Sequence, residues 1–241
     1  MKNRTIAFGD IHGCWQAAES AVKLAKEEKA KTVFLGDYVD RGPDSIKTLQ
    51  ILIRAKKENP DWMFLRGNHD QMLLDLILGN SEPNIEFDVY SGRTSNKETS
   101  KVYQKWKALP DTLKIEITSF LENTKLFYET DNWIFVHAPL KNSDIPLKKK
   151  SKEELLWNYS LEPTWTGKQF VHGHLNTDKI QESNKGININ TSCGYGGILS
   201  GLLIKTQNAA KHSTVMRTDL IVFSITEKGK LNQNNKGFNL F

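Results

Sequence analysis

Two stretches decide the fold of this chain: Gly-Asp-Ile-His-Gly at residues 9–13 and Gly-Asp-Tyr-Val-Asp-Arg-Gly at residues 36–42. Each stretch directly follows a short apolar run, and three later runs end in the same way, at Arg-Gly-Asn-His-Asp (66–70), His137 and His-Gly-His (172–174). Short apolar runs followed by Gly are typical of buried strands. Because ligand sites in α/β sheets lie beyond the carboxyl ends of the strands, we expect these polar side chains to converge at one edge.

Helical spacing separates the first strands. Residues 14–29 and the stretch after Gly42 both carry apolar residues on one face, so strands and helices alternate as in parallel βαβ units. A third helix is predicted near His69, and a further one over 112–127. Residues 79–111 are polar and predict an irregular insertion over the site, whereas strands dominate after His174. We expect one domain over residues 1–241, ending in a loose tail at 230–241.

Composition limits the class of protein. The chain has 241 residues, of which 38% are hydrophobic and 25% charged, which is ordinary for a globular protein. No apolar run approaches the ~20 residues of a membrane span, and because residues 1–4 lead directly into a predicted strand we expect no signal peptide. Two cysteines, Cys14 and Cys193, fit a reducing compartment, so we expect a cytoplasmic protein without membrane contact. A net charge of +5 is weak evidence for nucleic-acid binding, which we do not expect, and nothing in the sequence indicates an oligomeric state.

The polar side chains at the strand ends suit divalent cations. They offer carboxylate, imidazole and amide groups, which hard and borderline metal ions prefer, and one carboxylate could bridge two ions. The alternative is that they are buried, hydrogen-bonded core residues, but their repeated strand-then-Gly context favours a metal site. The candidate ligands are Asp10, His12, Asp37, Asn68, His137 and His174.

The motifs at 9–13, 36–42 and 67–70, with the later His137 and Gly173-His174, resemble the serine/threonine-type phosphoprotein phosphatases. The bacterial and phage branch, which includes the symmetrical diadenosine tetraphosphatases, is most similar, and the resemblance covers roughly residues 5–205. It implies an α/β metallophosphoesterase fold, in which a central β-sandwich of mixed sheets is flanked by helices within one calcineurin-like domain. It also implies two divalent ions, for which manganese is our expectation, although the N/O ligands also suit Fe or Zn.

The resemblance further implies a role for each residue. Asp10, His12 and Asp37 would hold the first ion, and Asp37, Asn68, His137 and His174 the second. His69 would be the general acid, oriented by Asp40, and Arg41 and Asn68 would bind the substrate phosphate. A metal-bridging hydroxide would attack the phosphorus directly, because metal coordination lowers the pKa of water towards neutrality. The expected substrate is a phosphomonoester, phosphoserine or phosphothreonine in a protein or a small phosphate ester.

The chain departs from the family in three places. Related sequences usually read Leu-Leu-Trp-x-Arg between the last two histidines, but here Tyr159 stands at the Arg position and no Arg lies between His137 and His174. Tyr159, Arg93, Lys168 or Arg217 could replace the missing phosphate ligand. The second departure is Pro139, where His-Ala-Gly is usual, and the third is Asn190, where an Asp is usual.

Two alternative functions stay open. The same ions could serve a hydrolase of dinucleoside polyphosphates such as diadenosine tetraphosphate, or the missing Arg could mark a phospho-binding protein without catalysis. His172 is expected to support the site or the core rather than bind metal, and Cys14 is expected to be structural.

Overall fold

A computed structural model describes residues 3–81, 95–160, 164–183, 185–207 and 217–234. The helices are α1 (Trp15–Glu28), α2 (Ser45–Glu58), α3 (Asn68–Leu78), α4 (Ser95–Lys107), α5 (Asp111–Asn123) and α6 (Lys152–Leu156). The strands are β1 (Asn3–Phe8), β2 (Lys31–Phe34), β3 (Met63–Phe64), β4 (Phe127–Glu129), β5 (Trp133–Val136), β6 (Gln169–His172), β7 (Gln181–Ser183), β8 (Gly186–Asn188), β9 (Ile198–Gln207), β10 (Arg217–Thr226) and β11 (Leu231–Asn234). No helix among these residues is long and apolar enough to cross a membrane.

The strands form two mixed sheets. The first has the order β11-β10-β9-β1-β2-β3, with β1, β2 and β3 parallel and β9 antiparallel to β1. The second has the order β4-β5-β6-β8-β7, with β5, β6 and β8 parallel and antiparallel strands at both edges. The predicted architecture of mixed sheets with flanking helices is therefore confirmed.

Alternation along the strands explains how the sheets stack. Ala7 and Val33 of the first sheet pack with Phe135 and Val171 of the second in one buried cluster. Their neighbours along the strands point the other way, so Phe8 packs against the helices. Because successive side chains of a strand point to opposite faces, one apolar run can supply both the core between the sheets and the core under the helices.

Two parts of the sequence prediction are wrong. The segment expected to be irregular contains helix α4, and the expected loose tail begins with strand β11, which pairs with β10. Residues 82–94 and 235–241 lie outside the described part of the chain. The predicted helices near 14–29, 69 and 112–127 are present as α1, α3 and α5, although α5 ends at Asn123.

The carboxyl ends of the parallel strands of both sheets meet. His137, directly after β5, donates from Nδ1 to the carbonyl oxygen of Leu35, directly after β2, at 3.0 Å. The backbone N–H of His174, shortly after β6, donates to Asp10 Oδ2 at 3.1 Å, shortly after β1. The two sheets thus contribute loops to one site.

Candidate metal centre

The site loops have an unusual backbone. Five site residues are held in the left-handed region, with φ of 46° at His12, 52° at Asp37, 71° at Asp40, 67° at Arg41 and 67° at His174. Such conformations are uncommon for residues other than Gly and cost energy, so the surrounding structure must enforce them. Their concentration at the strand ends marks this edge as a functional site.

Two loops approach each other so closely that a Gly is required. A Cβ added at Gly67 would lie 2.0 Å from Asp37 Oδ1 and 2.2 Å from the Asp37 nitrogen. The lack of a side chain lets the backbone N–H of His69 donate to Asp37 Oδ1 at 3.0 Å. This contact fixes the orientation of the Asp37 carboxylate.

Asp70 joins the same loops, a role that the sequence analysis did not assign. Its carboxylate accepts from the backbone N–H groups of Asp37 (2.7 Å), Tyr38 (2.9 Å) and Gly67 (2.9 Å). Burial and the nearby charge of Asp37 raise the pKa of Asp70 to about 7, against the opposing effect of these hydrogen bonds. Its position at the end of the Gly-Asn-His-Asp motif is the signal that could have identified it.

The first candidate metal position lies among His12, Asp37 and His69, whose ligand atoms are all within 4.8 Å of one another. The Nδ1–H of His12 donates to the Val39 carbonyl at 2.9 Å, so Nε2 carries the lone pair, 3.5 Å from Asp37 Oδ2. Burial lowers the pKa of His12 to about 3, so the imidazole is neutral. A lone pair that faces a carboxylate in a buried space fits a bound cation.

The second candidate position lies among Asp37, His137 and His174, again within 4.8 Å. The Nδ1–H of His137 donates to the Leu35 carbonyl, and burial lowers the pKa of the imidazole, so its Nε2 also carries a lone pair. That nitrogen faces Asn68 Oδ1 at 3.0 Å and Asp37 Oδ1 at 3.5 Å, and both of these oxygens are acceptors too. Asn68 Oδ1 also lies 3.1 Å from His174 Nδ1.

The fit to a divalent ion follows from these atoms. Two acceptor oxygens that lie within 3.5 Å of the lone pair of His137 Nε2 repel it unless a cation lies among them, and the set of imidazole, carboxylate and amide oxygen suits such an ion. Asp37 belongs to both positions, as a bridging carboxylate must.

Asp10 belongs to neither group, in contrast to the expected ligand set, whereas His69 joins the first one. The Asp10 carboxylate accepts from the His174 backbone N–H and, at 2.8 Å, from Asn190 Nδ2. Burial first, and then the charge of Asp37, raise the pKa of Asp10 well above its ordinary value. Asn190 thus places an amide donor where a second carboxylate would repel Asp10. A cation beside Asp10 would offset the remaining repulsion between Asp10 and Asp37.

His69 lies in a chain of polar contacts beside the first position. Its Nδ1 is 2.6 Å from Asp40 Oδ2, and the hydroxyl of Thr99, from helix α4, donates to the same oxygen. Burial alone would lower the pKa of His69, but Asp37 and Asp40 together raise it above its ordinary value. The sequence analysis did not identify Thr99, because α4 itself was not predicted.

Arg41 contacts the other side of the same imidazole. Its Nη2 donates to His69 Nε2 at 2.8 Å, and its guanidinium carbon lies 4.2 Å from the centre of the Tyr195 ring. The protein thereby places a permanent positive charge at the rim of the first metal position.

Of the four proposed substitutes for the missing Arg, Tyr159 lies at the site. Its ring centre is 4.3 Å from that of His174, and the side chain is 42% exposed. Lys168 instead contacts Glu129 and Thr130, at the edge of the second sheet. The backbone of Arg217 pairs with Gln207 at the far end of β10. At ~3.3 Å per residue it lies about 20 Å along β10 from Phe223, whose partner Gly201 pairs with the last residue of β1. Arg93 lies outside the described residues.

The structure also shows the surroundings of His172 and of Pro139. His172 donates from Nδ1 to the Gly173 carbonyl at 2.9 Å and packs against Phe170, and it belongs to neither metal group. The Pro139 carbonyl accepts from Asn158 Nδ2 at 2.6 Å, so the altered loop is tied to the residue beside Tyr159.

Comparisons with known proteins agree with this geometry. The sequence profile of the calcineurin-like phosphoesterases matches residues 4–200. The asymmetrical bis(5'-nucleosyl)-tetraphosphatase PrpE of Oceanobacillus iheyensis is 27% identical over 224 residues, which cover 80% of this chain and 85% of that protein. The serine/threonine-protein phosphatase 2 of Escherichia coli K12 is 30% identical over 216 residues, which cover 82% and 91%.

Solved structures show the same fold. A protein serine/threonine phosphatase from Saccharomyces cerevisiae superposes with a TM-score of 0.55 at 15% identity, covering 90% of this chain and 79% of that one. The paired metal positions, the shared Asp37 and the matching profile together lead to one conclusion: the chain belongs to the calcineurin-like phosphoesterases, hydrolases built around a binuclear centre of divalent metal ions.

Proposed function

We propose that this protein hydrolyses phosphomonoesters, with phosphoserine and phosphothreonine as the leading substrates. The observation that carries the proposal is the cluster of buried acceptors around Asp37, next to the His69–Asp40 pair. In the proposal, Asp10, His12 and Asp37 hold one divalent ion, and Asp37, Asn68, His137 and His174 hold the other. The mixed N/O donors suit manganese, iron or zinc, and we propose manganese.

The ions, when bound, act as Lewis acids and lower the pKa of water enough to provide a nucleophile near neutral pH. The residues of the chain supply the proton for the leaving group. Because Asp40 accepts from Nδ1, the second nitrogen of His69, Nε2, is the one that can carry a proton towards the substrate oxygen. The raised pKa of His69 favours the protonated form that a general acid needs.

Arg41 responds to the protonation state of His69. An Arg N–H can only donate, so its contact with His69 Nε2 requires the unprotonated nitrogen. Once Nε2 carries a proton, that contact is lost and the guanidinium is free to bind phosphate oxygens through its planar fork. Asn68, adjacent to His69, offers its amide to the same phosphate.

The monoester is preferred over a dinucleoside tetraphosphate on the distribution of charge. Arg41 is, among the described Lys and Arg residues, the one hydrogen-bonded to a site histidine. Residues 79–111, the polar insertion, carry five basic and five acidic residues, so this insertion adds no net positive charge for four phosphates to engage. The tetraphosphate is nevertheless the second candidate, because the relative from Oceanobacillus iheyensis is named as an asymmetrical bis(5'-nucleosyl)-tetraphosphatase.

A binding protein without catalysis is disfavoured by the His69–Asp40 pair. Both side chains are buried, with relative exposures of 3% and 1%, and burying an ion pair is costly. Phosphate recognition alone has no use for a carboxylate-oriented imidazole, whereas proton transfer does.

The test is hydrolysis of para-nitrophenyl phosphate with and without added Mn²⁺, followed by a comparison of a phosphoserine peptide with diadenosine tetraphosphate. We expect turnover that requires the metal and a higher kcat/KM for the phosphopeptide. A higher kcat/KM for the tetraphosphate would transfer the proposal to the second candidate. Absence of turnover on all three substrates, with metal bound, would refute the catalytic function.

A further inference from the structure

Arg41 is unusual in the way its charge is balanced. Among the ion pairs of the described residues, none includes Arg41, and its buried Nε has no hydrogen-bond partner there. Its one side-chain hydrogen bond in that part of the chain is to the neutral form of the His69 ring. A guanidinium at a binding site normally needs a partner to hold its geometry, and a carboxylate would neutralise it.

The ring of Tyr195 takes the place of such a carboxylate. The guanidinium carbon of Arg41 lies 4.2 Å from the ring centre, within the ~6 Å range of a cation–π contact. The centre of the same ring lies 6.3 Å from the centre of the His12 ring, and the two ring planes make an angle of 71°. Tyr195 therefore touches both the proposed phosphate ligand and a candidate metal ligand, and its side chain is still 52% exposed.

The turn that carries Tyr195 is pressed against the site. The 3-10 turn Cys193–Tyr195 lies between Ser192 and Gly196, both in the left-handed region with φ of 62° and 87°. A Cβ added at Gly194 would lie 2.5 Å from His12 Cβ and 3.1 Å from Arg41 Cβ. The absence of a side chain at Gly194 is thus what allows the turn to reach the two site loops.

Further hydrogen bonds keep the turn in place. The Tyr195 N–H donates to the Ser192 carbonyl at 2.9 Å, and the Gly196 N–H donates to Glu227 Oε1 at 2.7 Å. The Ser192 N–H donates to Asn190 Oδ1 at 3.0 Å, and Asn190 also contacts Asp10. The ring is therefore delivered by a turn that is tied to the metal site at one end and to the β10–β11 connection at the other.

We infer that Tyr195 is a positioning residue that holds Arg41 at the metal site without neutralising it, so that the full guanidinium charge meets the substrate phosphate. The inference rests on the proposed function. A ring face attracts a cation through its quadrupole but forms no hydrogen bond that a phosphate oxygen must replace. The same contact would let Arg41 bind the substrate phosphate alone, in a site where Tyr159 occupies the position of the family's second phosphate-binding Arg.

The experiment measures inorganic phosphate binding to the Mn²⁺-loaded protein by calorimetry, which requires no turnover. Cation–π contacts contribute about 0.5–2 kcal/mol, so we expect Tyr195→Leu to weaken phosphate binding about 2- to 30-fold. Tyr195→Phe keeps the ring and should remain within about twofold of wild type. If turnover exists, the Leu variant should raise KM more than it lowers kcat.

A double-mutant cycle separates positioning from a structural role. On an Arg41→Ala background, Tyr195→Leu should cause little further loss of phosphate affinity, because the contact is already gone. Losses that add in full, equal affinity of the wild type and the Leu variant, or a wild type that binds no phosphate would each overturn the inference. Phosphate binding that follows the cycle in a protein without turnover would uphold it while refuting the proposed catalysis.

Discussion

The two halves of the metal centre differ in charge. The half around His12 is bordered by Arg41 and by a His69–Asp40 pair whose imidazole has a raised pKa. The half around His137 and His174 is bordered by the ring of Tyr159, and burial lowers the pKa of both of its histidines, as it does that of His12 in the first half. Under the proposed function, phosphate binding and proton transfer would therefore be concentrated in the first half, while the second would offer mainly metal ligands. The difference shows that a shared ligand pattern does not imply a symmetric site.

Loss of the Asp37 carboxylate should impair both halves of the metal centre at once, because this carboxylate belongs to both. We expect Asp37→Asn to lower kcat/KM by about 10³-fold or more, since a metal stabilises transition-state charge by several kcal/mol. The measurement is hydrolysis of para-nitrophenyl phosphate with metal content determined on the same samples. Loss of metal from one half alone would show that the halves bind independently.

His69→Asn should affect the first half alone. Removing a general acid typically costs about 10²–10⁴-fold in rate, so kcat should fall by that order while both ions remain bound. The check is steady-state kinetics together with metal content. A parallel loss of metal would instead identify His69 as a ligand, which its place in the first group makes a specific alternative.

Tyr159→Arg should make the two halves more alike. A hydrogen bond to a charged group contributes about 1.5–3 kcal/mol, so the new cation should raise kcat/KM by about tenfold or more, mainly through KM. Tyr159→Phe is the matched control and should change little. A lower kcat/KM with retained metal would indicate that the ring over His174 serves the present substrate better than a charge does.

Thr99→Val should give the smallest effect. The hydroxyl donates to Asp40, so its removal loosens the partner of His69 and should lower kcat about fivefold, in line with ~1 kcal/mol per hydrogen bond. Thr99→Ser keeps the donor and serves as the control. An unchanged rate in the Val variant would show that the fold positions Asp40 without this contact.

Much of the fold could be predicted from the sequence because its signals are local. The apolar runs before residues 9, 36, 66, 137 and 172 all form strands or bridged strand ends, as periodicity and the following Gly indicate. Their division between two sheets is not local, since β2 and β5 look alike in sequence and differ in their partners. Here the family resemblance, rather than the pattern, predicted the sandwich.

The features that the sequence analysis did not predict have physical causes. Helix α4 is polar over most of its surface and buries few side chains, Val102 and Thr99 among them, so few apolar residues mark it in the sequence. Strand β11 is held by backbone pairing to β10, which an Asn-rich sequence does not reveal. The approach of Tyr195 to Arg41 depends on a turn far along the chain, for which the sequence offers no sign beyond its glycines.

The ligands come from loops of both sheets, and this has a consequence for the lifetime of the protein. Ions bound to Asp37 together with His137 would cross-link the two halves of the sandwich, adding to the apolar core between them. A ligand at a hundred times its Kd stabilises a native state by about 2.7 kcal/mol. Metal supply would thus govern resistance to unfolding and proteolysis, so that scarcity lowers the amount of the protein as well as its turnover.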